Sequence, residues 1–218
     1  MKAILFDFDG TIADTIPVLT EAVNTTMVLL GYPAHHTVKD FINHGARELI
    51  RGAMPEGVRD DEEKLDAALA LYKKCYRRVY LHTEKPYAGI YEVMAKVRPY
   101  ARVGILSNKP DEMTQGLARR LFPNGEIDAV VGFEEGKPGK PDPYLPEKIA
   151  GLLGVPLCNC LLVGDSDVDV QTAKNAGMAF VGAGWGFLGA KALYAAGADR
   201  VAPTPGDLWP EIEKFIKQ

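Results

Sequence analysis

The sequence has few cysteines, no excess of basic residues and no long apolar run, and each shortage excludes a class of protein. Three cysteines in 218 residues do not form a disulfide framework and favour a reducing compartment. A formal net charge of -4 gives no general attraction to nucleic acid or to an anionic membrane. The apolar runs are shorter than the roughly 20 residues that span a bilayer, and the start MKAILFDFDG carries an acid too early for a signal peptide. We therefore expect a cytoplasmic protein that binds neither nucleic acid nor membrane.

Hydrophobic residues make up 47% of the chain, which is enough to build a substantial core. Short runs rich in Val, Ile and Leu alternate with stretches of helical periodicity, and this alternation predicts an α/β fold with helices on both faces of a parallel sheet. The candidate strands are Ala3 to Phe6, Val103 to Leu106, Ile127 to Val131, Leu161 to Val163 and Ala179 to Val181.

The segment after the first strand breaks this alternation. From about residue 15 to residue 83 it holds no convincing strand, and its apolar residues recur at helical spacing. A helical block inserted after the first strand of a parallel sheet cannot join that sheet, so it should form a small domain of its own. We therefore predict a core domain from residues 1–14 and 86–218, and an inserted helical domain from residues 15–85.

Four polar clusters each follow a candidate strand. They are Asp7-Phe8-Asp9-Gly10-Thr11, Ser107-Asn108-Lys109, the segment from Gly136 to Pro143 with its two lysines, and Gly164-Asp165-Ser166-Asp167-Val168-Asp169. The carboxyl ends of parallel strands share one edge of the sheet, so the clusters should converge there. One cluster alone could be a turn or a helix cap, but four in succession indicate a functional site.

The residue types in these clusters indicate a hard metal ion and an anionic substrate. Asp7 and Asp9 point the same way along an extended backbone and repel each other unless a cation joins them. With Asp165 they offer only oxygen ligands, which suits Mg²⁺ and does not suit zinc. A lysine from the third cluster and the Ser107 hydroxyl could then bind phosphoryl oxygens.

The clusters resemble the four motifs of the haloacid dehalogenase superfamily. In that family the motifs are Asp-x-Asp-Gly-Thr, a Ser or Thr after the second strand, a lysine, and Gly-Asp-x-x-x-Asp. Lys137 and Lys140 both precede a proline, but only Lys140 begins the family form Lys-Pro-x-Pro, so we assign the third motif to Lys140. The resemblance implies a Rossmann-like core with an inserted helical cap, which agrees with the helical block found from periodicity.

The resemblance also implies a mechanism. Asp7 is the nucleophile that takes the phosphoryl group, and Asp9 protonates the leaving oxygen and then activates water. Mg²⁺ is held by Asp7, by the backbone carbonyl of Asp9 and by Asp165, with Asp169 nearby, acting through water or orienting the lysine. The substrate, a small phosphate ester, is bound by Thr11, Ser107, Asn108 and Lys140.

Looser similarities favour the phosphoglycolate phosphatases within this superfamily. They are Leu106 to Pro110, the loop Ile42 to Ala46 and the segment Val181 to Phe187. In the helical block, Asn43, Gly45 and Arg47 are candidates to face the substrate, although Arg47 is as easily a solvated charge.

Two other functions share parts of this pattern. A sugar-phosphate mutase of the β-phosphoglucomutase type has all four motifs. A receiver-like signalling domain also phosphorylates an Asp beside Mg²⁺ and a Lys, but it is shorter and has no acid two residues after the nucleophile. The sequence does not define an oligomeric state.

Overall fold

The computed structural model describes residues 1–42, 45–83 and 85–218, apart from the side chain of Asp40. The chain divides into two compact units. One consists of Met1–Asp14 and Lys85–Gln218, and the other of Thr15–Glu84. We call them the core unit and the helical unit.

The core unit contains a six-stranded sheet, which confirms the predicted parallel α/β fold. Its strands are β1 Lys2–Phe6, β2 Ala101–Pro110, β3 Ala129–Phe133, β4 Cys160–Gly164, β5 Ala179–Ala183 and β6 Val201–Ala202. All neighbouring strands are parallel, in the order β3-β2-β1-β4-β5-β6. This order reverses direction between β1 and β4, the point where open α/β sheets bind their ligands.

Buried side chains on both faces explain why β1 and β4 are central. Ala3, Ile4, Leu5 and Phe6 are all fully buried, although successive side chains of a strand point to opposite faces. Cys160 to Val163 in β4 are buried in the same way. Both faces of the sheet are therefore covered, as is usual for parallel sheets.

Nine α-helices occur in the part of the chain that the structure describes. They are α1 Ile16–Leu29, α2 Gly45–Ala53, α3 Glu62–Val79, α4 Ile90–Val97, α5 Asp111–Leu121, α6 Tyr144–Leu153, α7 Asp167–Asn175, α8 Gly189–Ala195 and α9 Leu208–Ile216. Helix α6 ends at Gly154, whose φ of 66° is a left-handed conformation that glycine adopts without strain. No helix among the described residues is long and apolar enough to cross a membrane.

The helical unit contains α1, α2 and α3. Helix α3 buries Leu65, Ala68, Tyr72, Cys75 and Tyr76, and α1 packs against it. The acidic run before α3 has a structural role, because the Asp61 side chain accepts a hydrogen bond from the backbone of Lys64 and caps the helix.

Candidate active site

Strand pairing brings the first and fourth clusters together. Phe6 at the end of β1 lies beside Val163 in β4, and the backbone N–H of Asp7 donates to the Val163 carbonyl at 2.9 Å. Asp7 is therefore held where β1 leaves the sheet, next to the start of the fourth cluster. The two clusters are far apart in the sequence, but they lie close together in the fold because β1 and β4 are neighbours in the sheet.

A buried lysine joins two of the carboxylates. Lys140 Nζ lies 2.9 Å from Asp7 Oδ1 and 2.6 Å from Asp169 Oδ1. The side chains of Lys140 and Asp169 are 3% and 0% exposed. Lys137, the other lysine of the third cluster, is exposed, so it is Lys140 that reaches the cluster.

Asn108 fixes the backbone that carries this lysine. Its amide nitrogen donates to the Lys140 carbonyl at 3.0 Å, and its amide oxygen accepts from the Lys140 N–H at 2.7 Å. Asn108, which the sequence predicts to contact substrate, thus bonds through both polar atoms of its side chain to the main chain of Lys140.

Asp169 is oriented by the start of α7. The Ser166 hydroxyl and backbone N–H donate to Asp169 Oδ2 at 2.6 and 3.1 Å. The Asp169 N–H in turn donates to Ser166 Oγ at 3.2 Å. This reciprocal arrangement is a capping box, with Ser166 as N-cap. It leaves Asp169 Oδ1 directed at Lys140.

Asp165 is buried, and both of its carboxylate oxygens accept hydrogen bonds. The Thr11 hydroxyl lies 3.2 Å from Oδ1, and the Phe187 N–H donates to Oδ2 at 2.7 Å. Thr11, which the sequence predicts to bind substrate, has a fully buried side chain whose hydroxyl is directed at Asp165.

Asp9 has a different environment from Asp7, although the two are only two residues apart. Its side chain is 23% exposed, and its Oδ1 lies 3.0 Å from Lys109 Nζ. Ser107, at the irregular end of β2, is buried, and its Oγ accepts the Lys109 N–H at 3.3 Å. As an acceptor in that bond, the Ser107 hydroxyl keeps its own hydrogen for another partner.

Burial controls the electrostatics of this cluster. Removal from water raises the pKa of Asp7 to about 7, Lys140 opposes the rise, and the charges of Asp169 and Asp9 add to it. Burial, followed by the charges of Asp169 and Asp7, also holds the pKa of Asp165 well above its usual range. For Lys140, burial lowers the pKa, but the two carboxylates in contact outweigh this and raise it overall. The cluster thus carries more negative charge than its lysine neutralises.

These residues fit a divalent cation. Asp7, Asp165 and Asp169 are buried, and one oxygen from each lies within 4.8 Å of the others. Asp7 Oδ1 accepts no hydrogen bond of good geometry from the described residues, despite its short distance to Lys140. A buried, oxygen-only set with excess negative charge suits Mg²⁺ better than a softer metal.

Three features of the site were not predicted from the sequence. Lys109 belongs to the second polar cluster, but no role was predicted for it, and its side chain is only 2% exposed, which its residue type does not suggest. Tyr87 is the second, because burial and then the charges of Asp14, Asp165 and Asp9 raise its pKa, so its hydroxyl lies in the electrostatic field of the site.

The third feature is the loop after β5. Trp185 Nε1 donates to the Thr11 carbonyl at 3.0 Å. A methyl group on Gly186 would lie 2.2 Å from Asp165 Cβ and 2.6 Å from the Gly10 carbonyl oxygen, so only glycine fits there. The similarity of Val181 to Phe187 to a family segment was the one signal that pointed to this loop.

The candidates in the helical unit are only partly described. Asn43 lies outside the described residues, and Gly45 begins α2. Arg47 forms ion pairs with Glu62 and Asp66 at the surface of the helical unit, and hydrogen bonds to these two acids raise its pKa. The Arg47 guanidinium is therefore bound by two acidic side chains of the helical unit.

Known proteins resemble this chain over most of its length. A family model for haloacid dehalogenase-like hydrolases matches residues 1–177. The chain is 31% identical to phosphoglycolate phosphatase 1 of Pseudomonas aeruginosa, over 81% of this chain and 67% of that protein. It is also 31% identical to a phosphoglycolate phosphatase of Rhodospirillum rubrum, over 94% and 96%.

A solved structure agrees with these relatives. The crystal structure of an inferred phosphoglycolate phosphatase from Lactobacillus delbrueckii subsp. bulgaricus has a TM-score of 0.87 and 30% identity. The match covers 97% of this chain and 99% of that one. The resemblance stated from the four sequence motifs is thereby confirmed.

Proposed function

The chain belongs to the haloacid dehalogenase-like hydrolases, and we propose that it is a Mg²⁺-dependent phosphatase that hydrolyses a small phosphate monoester through an aspartyl-phosphate on Asp7. The observation that carries this proposal is the contrast between Asp7 and Asp9. Asp7 is buried against Lys140, whereas Asp9 is partly exposed and paired with Lys109. Two neighbouring carboxylates in different environments suit two roles, nucleophile and proton carrier.

In the first step a carboxylate oxygen of Asp7 attacks phosphorus, and Asp9 gives its proton to the departing ester oxygen. In the second step Asp9 takes a proton from water, which attacks phosphorus and releases phosphate from Asp7. Lys140 and the Ser107 hydroxyl bind phosphoryl oxygens while these steps proceed.

Mg²⁺ would be held by Asp7, the Asp9 backbone carbonyl and Asp165, and would supply positive charge for the phosphoryl oxygens. Thr11 and Phe187 support Asp165 through the hydrogen bonds to its two oxygens. Asp169 is occupied by Lys140 and Ser166, which supports its assignment as the residue that orients the lysine. Asn108 fixes the same lysine from its main-chain side.

We propose phosphoglycolate as the first substrate to test, because relatives with that name match the chain at 29–31% identity. The helical unit is proposed as the cap that selects the substrate. Cytoplasmic localisation remains a prediction from the sequence. It is supported by the three cysteines, none of which forms a disulfide.

The test is a phosphate-release screen with Mg²⁺ over phosphoglycolate, sugar phosphates, nucleotides and pyrophosphate. We expect release from at least one monoester and loss of that activity on addition of EDTA. Asp7→Asn should abolish turnover and leave the fold intact. Asp199→Asn, at an exposed aspartate of the core unit, is the matched control and should keep full activity.

Two results would overturn the proposal. Isomerisation of a sugar phosphate primed by a bisphosphate, without net phosphate release, would assign the chain as a mutase. A phosphorylated Asp7 that persists in water would favour the receiver-like alternative.

A further inference from the structure

Lys109 is a buried lysine that the four family motifs do not assign. Its side chain is 2% exposed, and Nζ lies 3.0 Å from Asp9 Oδ1. Burying an ammonium group is costly unless an anion or hydrogen-bond acceptors surround it. The ion pair with Asp9 therefore offsets the cost of burying Lys109.

The main chain around Lys109 is fixed from both sides. Its N–H donates to Ser107 Oγ at 3.3 Å, and its carbonyl accepts the Thr114 hydroxyl at 3.1 Å. Gly132 in β3 also packs closely, because a methyl group there would lie 2.7 Å from the Lys109 carbonyl oxygen. The ammonium group therefore extends from a rigid base at the irregular end of β2.

The backbone of Asp9 is fixed in a similar way. Asp9 forms an isolated bridge with Ala13, and the Gly10 N–H donates to the Ala13 carbonyl at 2.9 Å. The Asp9 side chain is 23% exposed, so burial alone does not fix its rotation. Lys109 is positioned to restrict that rotation.

We propose that Lys109 is a positioning residue that holds the Asp9 carboxylate where it meets the leaving oxygen of the substrate. This inference rests on the proposed phosphatase function. Lys140 neutralises the nucleophile, and Lys109 neutralises and orients the proton carrier two residues later. Because each carboxylate then has its own cation, the electrostatic repulsion between Asp7 and Asp9 is reduced.

The test compares Lys109→Met with the wild type on two classes of ester. One is the alkyl phosphate found in the screen, and the other is p-nitrophenyl phosphate, whose leaving group needs little protonation. Because general acid catalysis is worth about 10²–10⁴-fold and misplacement by 1 Å can cost about 10²-fold, we expect kcat/KM for the alkyl ester to fall roughly 10- to 100-fold. For p-nitrophenyl phosphate it should fall less than about threefold, since that ester depends little on Asp9.

A double-variant comparison shows whether Lys109 acts through Asp9. Asp9→Asn and Asp9→Asn with Lys109→Met should differ in kcat/KM by less than about twofold, because the group that Lys109 positions is already lost. This pair also serves if Lys109→Met alone fails to fold, since the double variant removes both charges. Lys137→Met, at an exposed lysine, is the control and should match the wild type.

Equal losses on both esters, or the same loss in the Asp9→Asn background, would overturn the inference. A rise in KM confined to substrates that carry a carboxylate would overturn it in favour of direct substrate binding by Lys109. Absence of phosphate release from wild-type protein would instead refute the proposed phosphatase, so the two failures are distinguishable.

Discussion

Replacement of Lys140 by methionine removes the cation at the centre of the cluster and keeps most of the side-chain length. The ammonium group lies 2.9 Å from Asp7 Oδ1 and 2.6 Å from Asp169 Oδ1, and its side chain is 3% exposed. Water cannot take its place without rearrangement. The free energy of unfolding should therefore fall, and the size of the fall depends on whether a proton can replace the lysine.

The loss of stability in Lys140→Met should depend on pH, because Asp7 is the group that can take up the proton. In the metal-free protein burial raises its pKa from 3.8 to about 7, so in the wild type Asp7 lowers the unfolding free energy as the pH rises from about 4 to about 7 and adds no further change above that. Without Lys140 the pKa rises further, and folded Lys140→Met keeps a proton on Asp7 that the wild type has released. The loss of stability should then grow by about 1.4 kcal/mol per pH unit above pH 7.

Between pH 7 and pH 9 the difference in unfolding free energy should thus increase by about 2–3 kcal/mol. It should stop rising at about 3–5 kcal/mol, the usual cost of removing one partner from a buried ion pair. Below pH 7 a smaller, nearly constant loss should remain, because the lysine contact with Asp169 is missing at every pH.

Urea unfolding in EDTA at pH 6, 7, 8 and 9 measures this difference. Lys137→Met changes an exposed lysine in the same loop and should shift stability by less than about 0.5 kcal/mol at every pH. A Lys140→Met loss that is independent of pH, or no larger than that of Lys137→Met, would refute the electrostatic account of the cluster.

Two further predictions concern the metal site. Because Mg²⁺ competes with the proton on Asp7, its affinity by calorimetry should be about tenfold weaker at pH 6 than at pH 8; equal affinities would mean that Asp7 is not a ligand. Gly186→Ala places a methyl group against Asp165 and Gly10, so it should destabilise the protein by about 1–3 kcal/mol and weaken Mg²⁺ binding. Gly151→Ala, which meets open space, should do neither, and equal effects of the two substitutions would contradict the prediction.

The sequence predicts the regular elements of the core unit well because their signals are local. Runs of buried apolar residues identify β1 and β4, and Gly154 marks the end of α6. Strand β6 was not predicted, since two residues are too few to show a pattern. The irregular end of β2 was also missed, because the run Ser107 to Pro110 is polar and ends in proline, as a loop would be.

The partners of polar side chains are less predictable than the elements that carry them. The sequence predicts that Thr11 and Asn108 bind substrate, but it does not predict the bonds that the structure shows, from Thr11 to Asp165 and from Asn108 to the main chain of Lys140. Their positions at the sheet edge follow from the sequence, whereas the choice among several nearby polar atoms depends on three-dimensional geometry. The burial of Lys109 was missed for a related reason, since lysine is seldom buried and its neighbours in the sequence do not indicate burial.

The balance of charge at this edge of the sheet connects the metal to the stability of the fold. Asp7, Asp9, Asp165 and Asp169 face two buried lysines, which leaves two negative charges that one divalent cation would neutralise. In the metal-free protein burial, together with the neighbouring carboxylates, raises the pKa values of Asp7 and Asp165. A ligand that binds only the folded state stabilises it by mass action, so Mg²⁺ should raise the unfolding free energy most above pH 7, where Asp7 has lost its proton.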